Sequence, residues 1–358
     1  MSTIKRREFV AGCLATGLAT AKEPQTAGIL NYNPNMEYRR LGKTGLMVSA
    51  VCVGGHWKRA GVMIHPGFRG NGGAEEDFQN LNNPAFLANR RAVVDRAIEV
   101  GINYVDACSP QEILAYSKVL KGRRDKMYFG FSWHTREPRY VEWRNPAKLL
   151  QGFEQSLKEA GLDHADLWRI SLPQQGISDL GELRMVEEAT VEALDKARQQ
   201  GKTRFTGISS HNRVWLNWMV EQYSSQMQVV LFPYTAASKQ LPDDSVFDAV
   251  KKHDTGVFGI KPFADNSLFA GDSSPSSPHA EEDDRRARLA IRYILGNPSI
   301  TAPIPGLVSA HQVDNVAQAV AERRKLDRKE KAELDAAGRR MWANLRPDHQ
   351  WLRDWEYV

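Results

Sequence analysis

From Leu46 onward, short apolar runs alternate with longer segments whose apolar residues recur every three or four positions. The runs are "LMVSAVCVG", "INYVDAC", "KMYFGFSWH", "ADLWRISLP", "TRFTGISSH", "MQVVLFPYT", "GVFGIKPF" and "ITAPIPGL". The segments between them predict helices near 89–100, 111–121, 147–160, 183–200, 213–224, 244–253, 283–295 and 309–323. Leu149, Leu150, Phe153 and Leu157 carry the helical spacing most clearly. Eight strands alternating with eight helices predict an α/β fold, a closed parallel (β/α)8 TIM barrel, with a further helix near 328–343. An open doubly wound sheet would place G-x-G-x-x-G after its first strand. "VCVGGHWKRAG" lacks that spacing. Upstream, "MEYRRLGKTGLMVSAVCVGG" predicts a β-hairpin around Gly42-Lys43-Thr44-Gly45.

Two loops at the C-terminal ends of strands are long, residues 56–84 and 264–284. In such barrels that end builds the site. The tail "MWANLRPDHQWLRDWEYV" carries three tryptophans, which either cap the barrel or contribute to a pocket. The expected organisation is a signal over 1–21, a linker over 22–35, the barrel over 36–325, and a helix with its Trp-rich tail over 326–358.

The N-terminus changes the picture of where the barrel works. "KRREFVAGCLATGLATA" has Arg6 and Arg7, a short apolar stretch and a small-x-small close at Ala19-Thr20-Ala21. It resembles a twin-arginine export signal, so the folded chain is expected in the periplasm. Composition adds little: 42% hydrophobic and 25% charged residues are usual for a globular chain. The net charge of +5 is spread along the chain and gives no case for nucleic acid. No apolar run is long enough to span a membrane, and the oligomeric state is left open.

The opening hairpin, "AIEVGINYVDA", "GLDHADLWRI", "GKTRFTGISSH", "VFGIKPF" and "IPGLVSAHQVDN" together resemble the aldo/keto reductase family over roughly residues 36–325. The resemblance implies a small-molecule carbonyl or alcohol substrate and hydride transfer with NADPH or NADH. It also implies a tetrad of aspartate, tyrosine, lysine and histidine, in which the lysine lowers the pKa of the proton-donating phenol. Asp106 stands at the aspartate position. Gln111 stands where tyrosine is implied, Ser132 where lysine is, and Ser171 where histidine is. Tyr116 reads as part of the second helix.

Strand alternation indicates what replaces the missing members. If Ser171 faces the interior, so does Arg169; if Ser132 does, so does His134; if Asp106 does, so does Cys108. An inward carboxylate needs a cation. Arg169 is expected to supply it, as a core bridge or as part of a catalytic set of Asp106, His134 and Arg169. His134 is the remaining acid/base candidate by residue type, against a surface histidine at a strand end. Cys108 reads as a small buried residue, a partner for Cys52, or a nucleophile. His56 and His65 lie in the first long loop and, with Asp106 and His134, are what a metal site would draw on. No tight ligand spacing is present, and no metal ligand is assigned.

The resemblance also implies cofactor contacts. Ser209 matches a nicotinamide contact, Lys261 the loop beside the pyrophosphate, and Gln312 and Asn315 the adenine end. The alternative for the last segment is a helix start capped by Ser309. No Lys or Arg lies between Gly306 and Asn315, so NADP and NAD both stand. Two functions remain: an exported NAD(P)H oxidoreductase with an altered tetrad and a tightly held cofactor, or a non-catalytic barrel that binds cofactor or ligand.

Overall fold

The computed structural model describes residues 28–57, 81–172, 177, 179–272 and 276–358. The signal-like stretch 1–21, His65, residues 58–80 of the first long loop and 273–275 of the second lie outside them. The barrel strands are β3 (Tyr104–Ala107), β4 (Tyr128–Phe131), β5 (Ala165–Ser171), β6 (Thr203–Ser209), β7 (Val229–Pro233), β8 (Gly256–Ile260) and β9 (Ala302–Ile304). They pair in chain order, each parallel to the next.

The apolar run 46–54 does not form one strand. Tyr38–Arg40 (β1) and Met47–Ser49 (β2) make an antiparallel hairpin. The Ser49 hydroxyl then donates to the Val51 carbonyl, 2.7 Å away, as the chain turns. Beyond it Cys52–Gly54 closes the barrel. Val53 N–H donates to the Tyr104 carbonyl at 3.0 Å, and Cys52 N–H to the Pro303 carbonyl at 3.1 Å. Single bridges join Val53 to Val105 and Gly54 to Gly306.

Helices α1 (Pro84–Glu99), α2 (Pro110–Val119), α3 (Pro146–Ala160), α4 (Leu180–Gln199), α5 (Arg213–Gln222), α6 (Val246–Lys252), α7 (Ala280–Leu295) and α8 (Ala310–Ala321) return the chain between strands or follow the last one. Their starts are set locally. Asn83, Ser109 and Asn145 cap α1, α2 and α3, each followed by a proline at the first helical position. Asp179, Asn212, Ser245 and Ser309 cap α4, α5, α6 and α8. The ninth helix, α9 (Arg328–Ala343), opens with a capping box of Asp327 and Glu330.

Register sorts the strand residues into two layers. Phe129, Phe131, Trp168, Ile170, Phe232 and Val257 belong to the cluster packed under the helices. Phe153 of α3 stacks on Trp168 with centroids 4.1 Å apart. Tyr104, Leu167, Val229, Leu231, Phe258, Ala302 and Ile304 fill the interior together with Cys52. Leu41, Leu46 and Val48 from the hairpin join them and plug the floor. Gly42 permits this. Its φ is +46°, and a Cβ there would overlap the Asp254–Gly256 backbone. Residues 28–35 run beneath the same floor, where Asn31 Nδ2 donates to the Ile102 carbonyl at 3.2 Å.

The C-terminal tail lies along the mouth beside β6 and β7. Trp355 is fully buried, stacks on Phe232 at 5.5 Å and donates from Nε1 to the His211 carbonyl at 3.0 Å. Trp351 stacks on the His211 ring at 4.0 Å. Among the described residues no helix is long and apolar enough to cross a membrane.

Candidate active site

β3 and β5 project Asp106 and Arg169 into the barrel just above the apolar interior, on the parity that alternation predicts. Arg169 Nε donates to Asp106 Oδ1 at 3.1 Å, and Nη2 donates to Oδ2, so the pair is bidentate. The two residues are 4% and 5% exposed. Burial pushes the Asp106 carboxyl above its usual range, and Arg169 only partly offsets that. Burial also disfavours the Arg169 charge, but Asp106, with Cys108 and Tyr104, outweighs it and raises the guanidinium pKa. The cation that the sequence demanded is therefore in place.

The two serines at the ends of β4 and β5 are joined by a residue that sequence reasoning missed. Glu137 follows the short 3-10 turn His134–Arg136. Its Oε2 accepts from the Ser132 hydroxyl at 2.9 Å and from Ser171 N–H at 2.8 Å. A carboxyl thus occupies the space between the positions where the resemblance implies a lysine and a histidine. Burial pushes Glu137 up to about 7, although both donors favour its ionised form.

His134 is buried and lines the cleft, rather than standing on the surface. Its Nδ1 lies 2.8 Å from the Cys108 carbonyl, which can only accept, so Nδ1 carries the proton and Nε2 is the acceptor. Burial lowers its pKa despite that hydrogen bond, which keeps the ring neutral at neutral pH.

A second group forms where the Cys52–Gly54 segment, β3 and α2 meet. Glu112 is fully buried. Oε1 accepts from His56 N–H at 2.5 Å and Oε2 from Cys108 N–H at 2.8 Å. His56 Nδ1 is 2.9 Å from Oε1, and Cys108 Sγ is 3.4 Å from the same nitrogen. Burial alone would raise the Glu112 carboxyl, but His56 and the two backbone donors bring it down to about 2. Cys108 and Glu112 push His56 well above the usual imidazole range. His56 has a left-handed backbone, φ 57°, in a side chain 42% exposed toward the cleft. Cys52 and Cys108 are both free, so the pairing alternative is not realised. Cys52 points into the apolar interior, whereas Cys108 is partly exposed.

Glu112 was hidden in "SPQE", which reads as a capping box. Ser109 does cap α2, but the carboxylate turns to Cys108 and His56 instead of staying local. The space it fills exists because position 55 is glycine. A Cβ on Gly55 would overlap the Glu112 carboxylate. Gly55→Ala is therefore expected to lose about 3 kcal/mol, the scale of displacing a buried hydrogen-bonded charge. Urea unfolding checks this, and Glu112→Ala in the same background should remove most of the clash cost. Equal stability of Gly55→Ala and wild type would contradict the placement of Glu112.

These groups line one end of a cleft of about 370 Å3 at the C-terminal mouth. Arg139, Ser209, His211 and Lys261 line its middle. Burial and Lys261 hold His211 well below the usual imidazole range. The far end is the start of α8, with Ser309, Gln312 and Asn315. There Ser309 accepts from Gln312 N–H at 3.2 Å, and Gln312 Oε1 accepts from Val308 N–H at 2.9 Å, so the cap is real. Asn315 accepts from Arg288 Nη1 at 2.6 Å and donates to the Asp284 carbonyl at 3.0 Å. Arg288, on α7, reaches Asn315 from behind the cleft wall; it is paired with Glu322 at 3.1 Å and is not among the cleft residues. Gln111 is buried within α2 and is not among the cleft residues. Tyr116 donates its hydroxyl to the Gly54 carbonyl at 2.6 Å, inside the core.

Comparison with known proteins agrees with the barrel fold. The chain is 26% identical to L-galactose dehydrogenase of Arabidopsis thaliana over 311 residues, 80% of this chain and 89% of that protein. It is 21% identical to L-glyceraldehyde 3-phosphate reductase of Escherichia coli strain K12, over 80% of this chain and 88% of that one. The holo form of aldo-keto reductase AKR11C1 from Bacillus halodurans superposes with a TM-score of 0.58 at 21% identity, covering 84% of this chain and 96% of that one. The aldo/keto reductase family model matches residues 77–339, well over half of the sequence. The chain belongs to the aldo/keto reductase family of oxidoreductases.

Proposed function

We propose that this barrel performs nicotinamide-dependent carbonyl/alcohol redox with a rebuilt acid/base set. The observation that carries this reading is the single cleft joining Asp106, Arg169 and His134 to Lys261 and the α8 N-terminus. Its size suits a bound small molecule. The residues fit the cofactor: Lys261 offers charge to a pyrophosphate, and a helix N-terminus favours phosphate. When bound, the nicotinamide supplies or accepts the hydride. Arg169, charged and anchored by Asp106, stabilises negative charge developing on the substrate oxygen. Neutral His134 holds an acceptor at Nε2, suited to taking the hydroxyl proton when an alcohol is oxidised and returning it in reduction. The twin-arginine-like stretch supports work in the periplasm, with nucleotide loaded before export. Both NADH and NADPH are compatible with the far end of the cleft.

Titrating the full chain with NADH and with NADPH, followed by fluorescence, tests the binding half. Lys261→Ala is expected to weaken binding about tenfold, the scale of one charge-assisted contact. His134→Ala should lower kcat by about a hundredfold while leaving nucleotide affinity unchanged. Absence of binding by either nucleotide would rule the reading out. The lost tyrosine, lysine and histidine support a second reading, a barrel that binds nucleotide without turnover. Bound nucleotide with no redox activity toward sugars or small aldehydes would select it.

A further inference from the structure

We propose that His56, Cys108 and Glu112 form a binding site for a single zinc-like divalent cation at the edge of the cleft. The three residues come from separate segments: the turn after Gly54, the end of β3 and the first turn of α2. Their candidate donor atoms all lie within 4.8 Å of one another. Nδ1 of His56 is 2.9 Å from Glu112 Oε1 and 3.4 Å from Cys108 Sγ. Tetrahedral zinc with ordinary bond lengths puts nitrogen and oxygen ligands about 3.3 Å apart, and nitrogen and sulfur about 3.6 Å apart. The donors already stand within a few tenths of an ångström of those separations. A thiolate, an imidazole and a carboxylate are also the set that a borderline-soft cation selects.

The surroundings hold this arrangement without completing it. His56 and Cys108 N–H each anchor one carboxylate oxygen, which orients Glu112 and leaves each oxygen a further lone pair. Gly55 leaves room for the carboxylate. Arg169, the buried cation that shares the cleft, is paired with Asp106. All three donor residues line the cleft, so a fourth coordination position opens toward water or a substrate oxygen. Three protein ligands and one open position is the pattern of catalytic zinc. The ligating nitrogen must be unprotonated and the sulfur a thiolate, so binding releases into solvent whatever protons His56 and Cys108 hold there. The grouping differs from the one the first long loop suggests: His56 joins Cys108 and Glu112, not Asp106 and His134.

The test uses the full chain, freed of metal by a chelator and titrated with Co2+ and then Zn2+. A single equivalent of Co2+ should give a thiolate-to-cobalt charge-transfer absorption that Zn2+ abolishes. Cys108→Ser should lose that absorption, whereas Cys52→Ala should keep it. Glu112→Gln should weaken Co2+ affinity about tenfold or more. Far-ultraviolet circular dichroism confirms that Cys108→Ser, a near-isosteric change at a partly exposed position, remains folded. No charge-transfer absorption in wild type, or the same absorption in Cys108→Ser, overturns the proposal. The site needs no nucleotide, so its failure is distinct from failure of the nicotinamide reading.

Discussion

Arg169→Leu is expected to destabilise the barrel by about 3–5 kcal/mol, because it strands Asp106 as an uncompensated buried charge. Asp106 lines the cleft but is only 5% exposed, and both carboxylate oxygens are held by the guanidinium being removed. The variant therefore has to fold with Asp106 protonated. That costs more the further the pH lies above the carboxyl's unfolded pKa, so the deficit should be larger near pH 8 than near pH 5. Asp106→Leu in the same background removes the stranded charge, and the double variant is expected to recover to near wild-type stability. Urea unfolding of the four proteins closes the cycle. A coupling near zero would mean that the pair contributes nothing to the fold. A coupled pair whose double variant still turns over substrate would show a structural bridge and nothing more.

That pair could be read in advance because two independent constraints met on it. Strand alternation fixes which side chains share the interior, and an interior carboxylate without its lysine demands another cation. Arg169 was the basic residue of β5 on the right parity. The barrel was legible for the same reason, since period-two runs and period-3.6 segments survive any detail of loop geometry. What alternation does not encode is the path of a loop. Glu137 reaches Ser132 and Ser171 only because the chain after β4 folds back in a 3-10 turn. Glu112 carried a sequence signal, S-x-x-E, but a signal for a local cap; Gly55 redirects it in space. Likewise "LMVSAVCVG" has the composition of one strand, and only the turn at Ser49–Val51 divides it between hairpin and barrel.

The pH dependence of stability should carry the signature of Glu137. Its folded pKa of about 7 stands above the 4.5 of an unperturbed glutamate. The native state therefore binds the proton more tightly than the unfolded state does. Its contribution is fully present below the unfolded pKa and is lost as the pH climbs through the folded one, a window from about pH 4.5 to about pH 7. A shift of that size corresponds to about 3 kcal/mol. Glu137→Gln keeps the shape and the acceptor oxygen that serves Ser132 and Ser171, but it cannot ionise. Compared with wild type, the glutamine variant should therefore gain about 2–3 kcal/mol on passing from pH 5 to pH 8. Taking the difference between the two proteins removes the titration of Asp106, Glu112 and the histidines, which both share. Urea midpoints at the two pH values measure it, and parallel pH profiles for the two proteins would show that Glu137 titrates as an ordinary carboxyl. Because the carboxyl lies between Ser132 and Ser171, beside the redox end of the cleft, the same titration should move the pH profile of kcat. An alkaline limb near pH 7 that disappears in Glu137→Gln would then place the proton on this carboxyl, not on His134, whose pKa moves the other way.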